Sequence, residues 1–194
     1  MNPGQVPSKE SPDVPVSDDF QAIGLALRVL QLNVEGLSSA KRSIISDIAV
    51  KNNVDFICLQ ETHLSDNIAG RLELKVFDVL LATPHALYGR VTYVRTEIAD
   101  AQAASSRNFC DVIRIGGYSI ANIYKPPSTQ WDQEILPQLQ HPPVYVGDFN
   151  SHHTDWGYSE ADADGDRLVE WATNNDLTLS HDVKQRETFY SVRW

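Results

Sequence analysis

Two short β-prone runs separated by one helical run constrain this fold more than any other feature. Leu27-Arg-Val-Leu-Gln-Leu-Asn-Val34 is rich in aliphatic residues, and so is Val54-Asp-Phe-Ile-Cys-Leu59. Between them, Ser38 to Asn53 opens on serines able to cap a helix, and Ile44, Ile45, Ile48 and Ala49 recur at helical spacing until Asn52-Asn53 ends the run. A strand, a crossover helix and a second strand pack back on each other as a β-α-β unit, which selects an α/β fold. Both strands end on polar residues. Asn33, Glu35 and Gly36 follow the first, and Gln60-Glu61-Thr62-His63 follows the second. In α/β proteins, the loops leaving such strand ends converge on the ligand.

The same logic extends along the chain. Residues 72–81 and 90–98 are expected to be strands, with a polar loop over 99–108. Cys110 to Ile115 and Tyr118 to Tyr124 flank Gly116-Gly117, a pair suited to a hairpin turn, and Lys125-Pro-Pro-Ser stops the second strand. A short helix is expected over 130–140, interrupted by Pro137. Val144-Tyr-Val-Gly147 reads as a buried strand opening on Asp148 and Asn150. A helix from Asp166 to Asn175, with Asp166 as its cap, follows, and Leu177-Thr-Leu179 is a further candidate strand. Residues 1–25, with four prolines among Ser, Asp and Glu, are expected to be a disordered leader, and residues 26–194 one domain.

Charge and cysteine usage narrow the function classes. Against 26 acidic residues stand 16 lysines and arginines, a formal charge of −10, which counts against a grip on nucleic acid by charge alone. Cys58 and Cys110 have no CxxC spacing, which argues against a zinc site; Cys58, inside Phe-Ile-Cys-Leu, reads as a packed thiol of a reduced compartment. No apolar run is long enough to span a bilayer, so no membrane partner is expected.

Four strand ends thus present Asn33 with Glu35, Glu61, Tyr124, and Asp148 with Asn150. Each alone has a plain structural explanation as a turn Asn, a surface Glu or a core Tyr. If the strands are neighbours, the residues share a pocket whose carboxylates and amides suit Mg²⁺ and water, and whose phenol suits a phosphate oxygen. Metal-assisted phosphodiester hydrolysis fits that inventory.

The motifs Leu32-Asn-Val-Glu-Gly-Leu37, Leu59-Gln-Glu-Thr-His63, Asn122-Ile-Tyr-Lys-Pro-Pro127 and Gly147-Asp-Phe-Asn-Ser-His-His153 resemble, in order, those of the endonuclease/exonuclease/phosphatase family. The resemblance is greatest to the endonuclease domains of non-LTR (LINE-type) retrotransposon polyproteins and runs from about Leu27 to Trp194. It implies a two-sheet α/β sandwich, here without its last strands. It implies Glu61 as principal metal ligand with Asn33 and Glu35 close by, Tyr124 on the scissile phosphate, Asp148 orienting or deprotonating water, and Asn150 supporting phosphate or metal. Mg²⁺ (with Mn²⁺ as a substitute), DNA as substrate, a reverse transcriptase domain in the same polyprotein and a nuclear location are implied likewise. Pro127 stands where several relatives carry a phosphate-holding Asn. No Ser-Asp-His follows Asp148; His181-Asp182, in reversed order, reads as a loop, and the chain stops at Tyr190-Ser-Val-Arg-Trp194. The absence is expected to impair nicking. It leaves two alternatives open: a non-catalytic remnant that only binds a partner, or a phosphoesterase of the same family acting on a lipid or small phosphate ester.

Other residues read less specifically. His152 and His153 are expected to bond within their loop or to substrate. Glu160 to Asp166 mimics a calcium loop but has Trp171 where a bidentate Glu is required. Trp156 and Tyr158 suit base stacking or loop anchoring equally, and Arg90, Arg95 and Arg107 suit a phosphate backbone or solvent.

Overall fold

The computed structural model describes residues 27–65, 72–131, 134–140 and 142–180. The expected leader, the His181-Asp182 loop and the terminal Tyr190–Trp194 segment lie outside the described residues.

The first strand, β1 (Val29–Asn33), passes through α1 (Ser39–Lys51) into β2 (Phe56–Gln60), and the two strands pair in parallel, as the β-α-β pattern requires. Ser38 caps α1, its hydroxyl accepting the Lys41 N–H at 3.2 Å. Ile45 and Ala49 turn inward to Ile57, Leu59 and Tyr93, whereas Ile44 and Ile48 of the same apolar set are exposed. β3 (Phe77–Thr83) and β4 (Arg90–Arg95) complete the sheet antiparallel, in the order β1-β2-β4-β3.

The second sheet has the order β5-β6-β7-β8, built from Gln102–Arg107, Cys110–Ile115, Tyr118–Tyr124 and Pro143–Asp148. β6 and β7 form the expected hairpin, and β8 adds in parallel to β7. Here four expectations need correcting. Residues 102–107 are a strand and not a loop; every residue of β5 is exposed, so pairing with β6, not burial, holds it extended. Residues 130–140 form no helix among those described; Trp131 and Leu136 are buried individually, and the Pro137 carbonyl accepts from the Tyr145 hydroxyl at 2.7 Å. Leu177–Leu179 is not a strand. β8 is half-exposed and not buried, since no further strand covers it among the described residues.

The second helix, α2 (Ala163–Asn174), starts earlier than expected. Asp162, not Asp166, caps it by accepting the Gly165 N–H at 2.6 Å. Leu168 packs on Ile123, Ala121 and Trp131, so α2 covers the outer face of the second sheet as α1 covers the first. Between the sheets lie Phe56, Cys58, Val94, Ile113, Ile115 and Ile120. The chain is therefore the expected two-sheet α/β sandwich.

Two buried polar links fix how the sheets face each other. Gln60 Nε2 donates to Asn122 Oδ1 across the interface at 2.6 Å, while Asn122 Nδ2 donates to Thr92 Oγ1 at 3.1 Å. Arg90 Nη2 of β4 meets Asp111 Oδ1 of β6 at 2.9 Å, and both side chains are buried. Unpaired, such groups are costly inside a protein, so each link specifies one mutual position of the sheets. Arg90 is thereby removed from the candidate phosphate contacts. Burial also pushes both thiols up to about 12, the Cys58 and Cys110 side chains being packed as small apolar groups.

Register depends on one glycine. Gly147 pairs with Ile123 at φ +146°, and a Cβ there would overlap the Ile123 backbone. Gly147→Ala is expected to lower stability by about 1–3 kcal/mol, as overpacking does, and urea denaturation checks it. A midpoint unchanged from wild type would show that β8 does not need this close approach.

Candidate active site

The parallel pairs of the two sheets lie against each other, β1 against β8 and β2 against β7 and β8. In register, Asn33 sits opposite Gln60, one residue before Glu61, and Tyr124 sits opposite Asp148. The four strand ends therefore meet. Asn33 Nδ2 donates to Glu61 Oε1 and to Asp148 Oδ2, both at 2.8 Å, and the Tyr124 hydroxyl donates to the same Glu61 Oε1 at 2.8 Å. One amide thus bridges two carboxylates carried by different sheets.

The loops that carry these groups are zipped together. Val34, Gly36 and Leu37 donate backbone N–H groups to the carbonyls of Gln60, Glu61 and Thr62 at 3.0, 2.7 and 2.9 Å. Lys41 Nζ, from the first turn of α1, holds the Val34 and Glu35 carbonyls at 2.6 and 2.9 Å. Glu35, Glu61, His63 and Asn150 all take positive φ, between 39° and 52°, a costly region for non-glycine residues.

Tyr124 is held as a neutral phenol. Burial raises its pKa first, and its hydrogen bond to Glu61 and the charges of Glu61 and Asp148 raise it further, well above the ordinary phenol range. It is a donor throughout the physiological range.

Not every expected residue joins this group. The Glu35 side chain is exposed, and its backbone N–H donates to Asn33 Oδ1 at 3.3 Å. The Asn150 amide donates to the Lys125 carbonyl at 2.9 Å, and its backbone N–H donates to Asp148 Oδ1 at 3.1 Å, so Asn150 braces Asp148 from behind. His152 and His153 serve their own loop. His152 stacks on Tyr158 with centroids 4.3 Å apart, and His153 Nδ1 accepts the Asp155 N–H at 3.1 Å while its Nε2 lies 3.6 Å from Asp166.

Three neighbours escaped the sequence reading. His63 Nε2 approaches Glu61 Oε2 at 3.7 Å. Tyr88 stacks on Tyr124. Lys125, fully buried, places Nζ 2.8 Å from Asp164 Oδ2, 3.2 Å from the Asn150 carbonyl and 5.7 Å from the centre of Trp131. His63 sits in a quoted motif, and the acid loop offered Lys125 a partner, but only tertiary structure selects Asp164 from its neighbours.

The donor set suits a hard cation in kind. Glu61 spends Oε1 on Asn33 and Tyr124, while among the described residues Oε2 has the more distant His63 beside it, at 3.7 Å. Mg²⁺ takes one or two carboxylates and completes its shell with water and phosphate. Among the described residues, no three His, Cys, Asp or Glu side chains cluster to hold a metal alone. Asn33 presents its nitrogen to the carboxylates, so metal ligation by Asn33 requires its amide to turn over.

The family model for the endonuclease/exonuclease/phosphatase family matches residues 30–192. The chain belongs to this family. Among solved structures it is similar to the endonuclease domain of TRAS1, a telomere-specific non-LTR retrotransposon. That likeness has a TM-score of 0.62 at 19% identity, over 80% of this chain and 75% of that one. It is also similar to the AP endonuclease LMAP from Leishmania major, with a TM-score of 0.57 at 15% identity, over 77% of this chain and 66% of that one. At such identities these likenesses speak for the fold. No curated protein matches the sequence.

The Lys125–Asp164 pair yields a pH prediction. Burial alone would raise the Asp164 pKa, but the hydrogen bond from Lys125, the Trp131 N–H and the charges of Lys125 and Arg167 outweigh it, and the net shift is downward from 3.8. A depressed carboxyl pKa stabilises the fold above 3.8 and loses that contribution as pH falls through the folded value. Lys125→Met is expected to flatten this part of the acid limb when urea midpoints are compared between neutral and acidic pH. An acid limb identical to wild type would contradict the pairing.

Proposed function

We propose that this chain is a metal-dependent phosphodiesterase that nicks DNA, the endonuclease module of a retroelement-type polyprotein with a reverse transcriptase domain as its partner. The observation that carries the reading is the bridge from Asn33 to Glu61 and Asp148, with the neutral Tyr124 on the same carboxylate. The family match and the TRAS1 and LMAP likenesses support it.

Each residue then has a role set by its contacts. Glu61 would hold the cation, assisted by Asn33 or Glu35. A bound Mg²⁺ or Mn²⁺ supplies Lewis acidity at the phosphate. Tyr124 carries a proton it does not lose, so its hydroxyl is suited to turn from Glu61 to a non-bridging phosphate oxygen. Asp148, oriented by Asn33 and by the Asn150 N–H, would accept the proton of the attacking water. The water oxygen bonds to phosphorus, the bond to the 3′ oxygen breaks, and the released 3′ alkoxide takes a proton from solvent water to become a 3′-hydroxyl, while Asp148 returns its proton to solvent. His152 and His153 lie on the loop after Asn150 and would contact the substrate from there.

Supercoiled plasmid incubated with Mg²⁺ is expected to become nicked. Tyr124→Phe removes one donor to developing charge and is expected to cost roughly 10²–10³ in rate. Asp148→Ala should abolish nicking above background. Glu61→Ala should weaken Mn²⁺ binding by isothermal titration, and equal metal affinity in both proteins would overturn the assignment of Glu61. Hydrolysis of a small phosphate ester without any nicking would move the substrate away from DNA.

A further inference from the structure

Three aromatic rings follow one another outward from the site. Tyr88 lies over Tyr124 with centroids 5.8 Å apart and planes at 29°, and His85 lies over Tyr88 at 4.9 Å and 13°. Tyr124 is buried, Tyr88 half-buried and His85 exposed.

The outer part of this stack is rigid for reasons of its own. His85 Nδ1 accepts the backbone N–H groups of Leu87 and Tyr88 at 3.0 and 2.9 Å, closing the turn between β3 and β4. The His85 backbone forms a bridge with Leu64 beyond the Glu61 loop, and the Gly89 carbonyl accepts the Thr62 N–H at 2.9 Å. A Cβ at Gly89 would strike the Thr62 hydroxyl and crowd the His85 backbone, so the turn is seated directly on the Glu61 loop. These hydrogen bonds engage the Nδ1 edge of the imidazole, and Tyr88 stacks on one of its faces.

A preorganised imidazole–phenol stack at the rim of a polar pocket suits a planar ligand, because little side-chain freedom remains to be lost on binding. Charge gives a second argument. With a formal charge of −10, affinity for a nucleotide chain cannot come from counterion release alone, whereas stacking is independent of charge.

We propose that His85 and Tyr88 form a base-stacking platform that takes an unpaired nucleobase of the strand whose phosphate enters the Glu61–Asp148 site. The proposal rests on the phosphodiesterase reading and adds to it a preference for unpaired bases. A base inside an intact duplex has both faces covered, so the platform selects single-stranded or locally opened DNA.

The test uses fluorescein-labelled oligothymidylate of about ten nucleotides, within the range a single-strand groove covers. Its control is a phosphodiester of equal length built from abasic tetrahydrofuran units, which carries the same charge and no bases. Binding is followed by anisotropy with Ca²⁺ in place of Mg²⁺, for the wild type, Tyr88→Leu, Tyr88→Phe and His85→Asn. The last change keeps an acceptor for the turn and removes the ring. Wild type and Tyr88→Phe are expected to prefer oligothymidylate to the abasic chain by about tenfold or more, the scale of one stacked base. Tyr88→Leu and His85→Asn should lose that preference while binding the abasic chain as wild type does. Preference retained in both variants, or equal loss for both ligands, would overturn the platform while plasmid nicking by wild type still upheld the phosphodiesterase. Absence of both oligothymidylate binding and nicking in wild type would overturn both.

Discussion

Two carboxylates from different sheets share one amide group, and the site depends on that arrangement. Asn33 donates from a single nitrogen to Glu61 and Asp148. Like charges brought so close disfavour each other, and a neutral donor between them reduces that cost without cancelling either charge. The pair keeps its attraction for a cation. Everything that sets the mutual position of the sheets bears on this bridge, including the Gln60–Asn122 bond, the Arg90–Asp111 pair and the glycine that seats β8 on β7.

The loops store the complementary constraint. Four non-glycine residues in the left-handed region lie at or beside the site, each costing of the order of 1–3 kcal/mol. They persist because the surrounding bonds over-determine them: the zipper between residues 34–37 and 60–62, Lys41 beneath it, and Lys125 under the Asn150 carbonyl. The sharp turn after each strand brings Glu61 to Asn33 and Tyr124 and sets the Asn150 N–H behind Asp148.

Much of this was legible in the sequence where local chemistry and tertiary structure agree. The β-α-β unit, the Ser38 cap and the diglycine hairpin follow from periodicity and turn residues, and Asn33, Glu61, Tyr124 and Asp148 meet because each closes a strand of a parallel pair. What was missed lies where pairing or burial overrides local pattern. β5 is a strand without an apolar face, so no alternation announces it. Trp131 and Leu136 are buried one by one in a stretch where a helix was expected, and neither lies in a helix. Arg90 sits on a strand whose sequence does not reveal that its partner is Asp111. Tyr88 and His85 belong to a turn whose role depends on lying over Tyr124, a contact between the two sheets.

The proposed function turns on Glu61, held by Asn33 and Tyr124, as the anchor of a divalent cation beside Asp148. Anomalous scattering from crystals soaked in Mn²⁺ tests it most directly. A peak is expected within ligand distance of the Glu61 carboxylate, near Asp148. A peak confined to the acidic loop between His152 and Asp166, with none at Glu61, would contradict it.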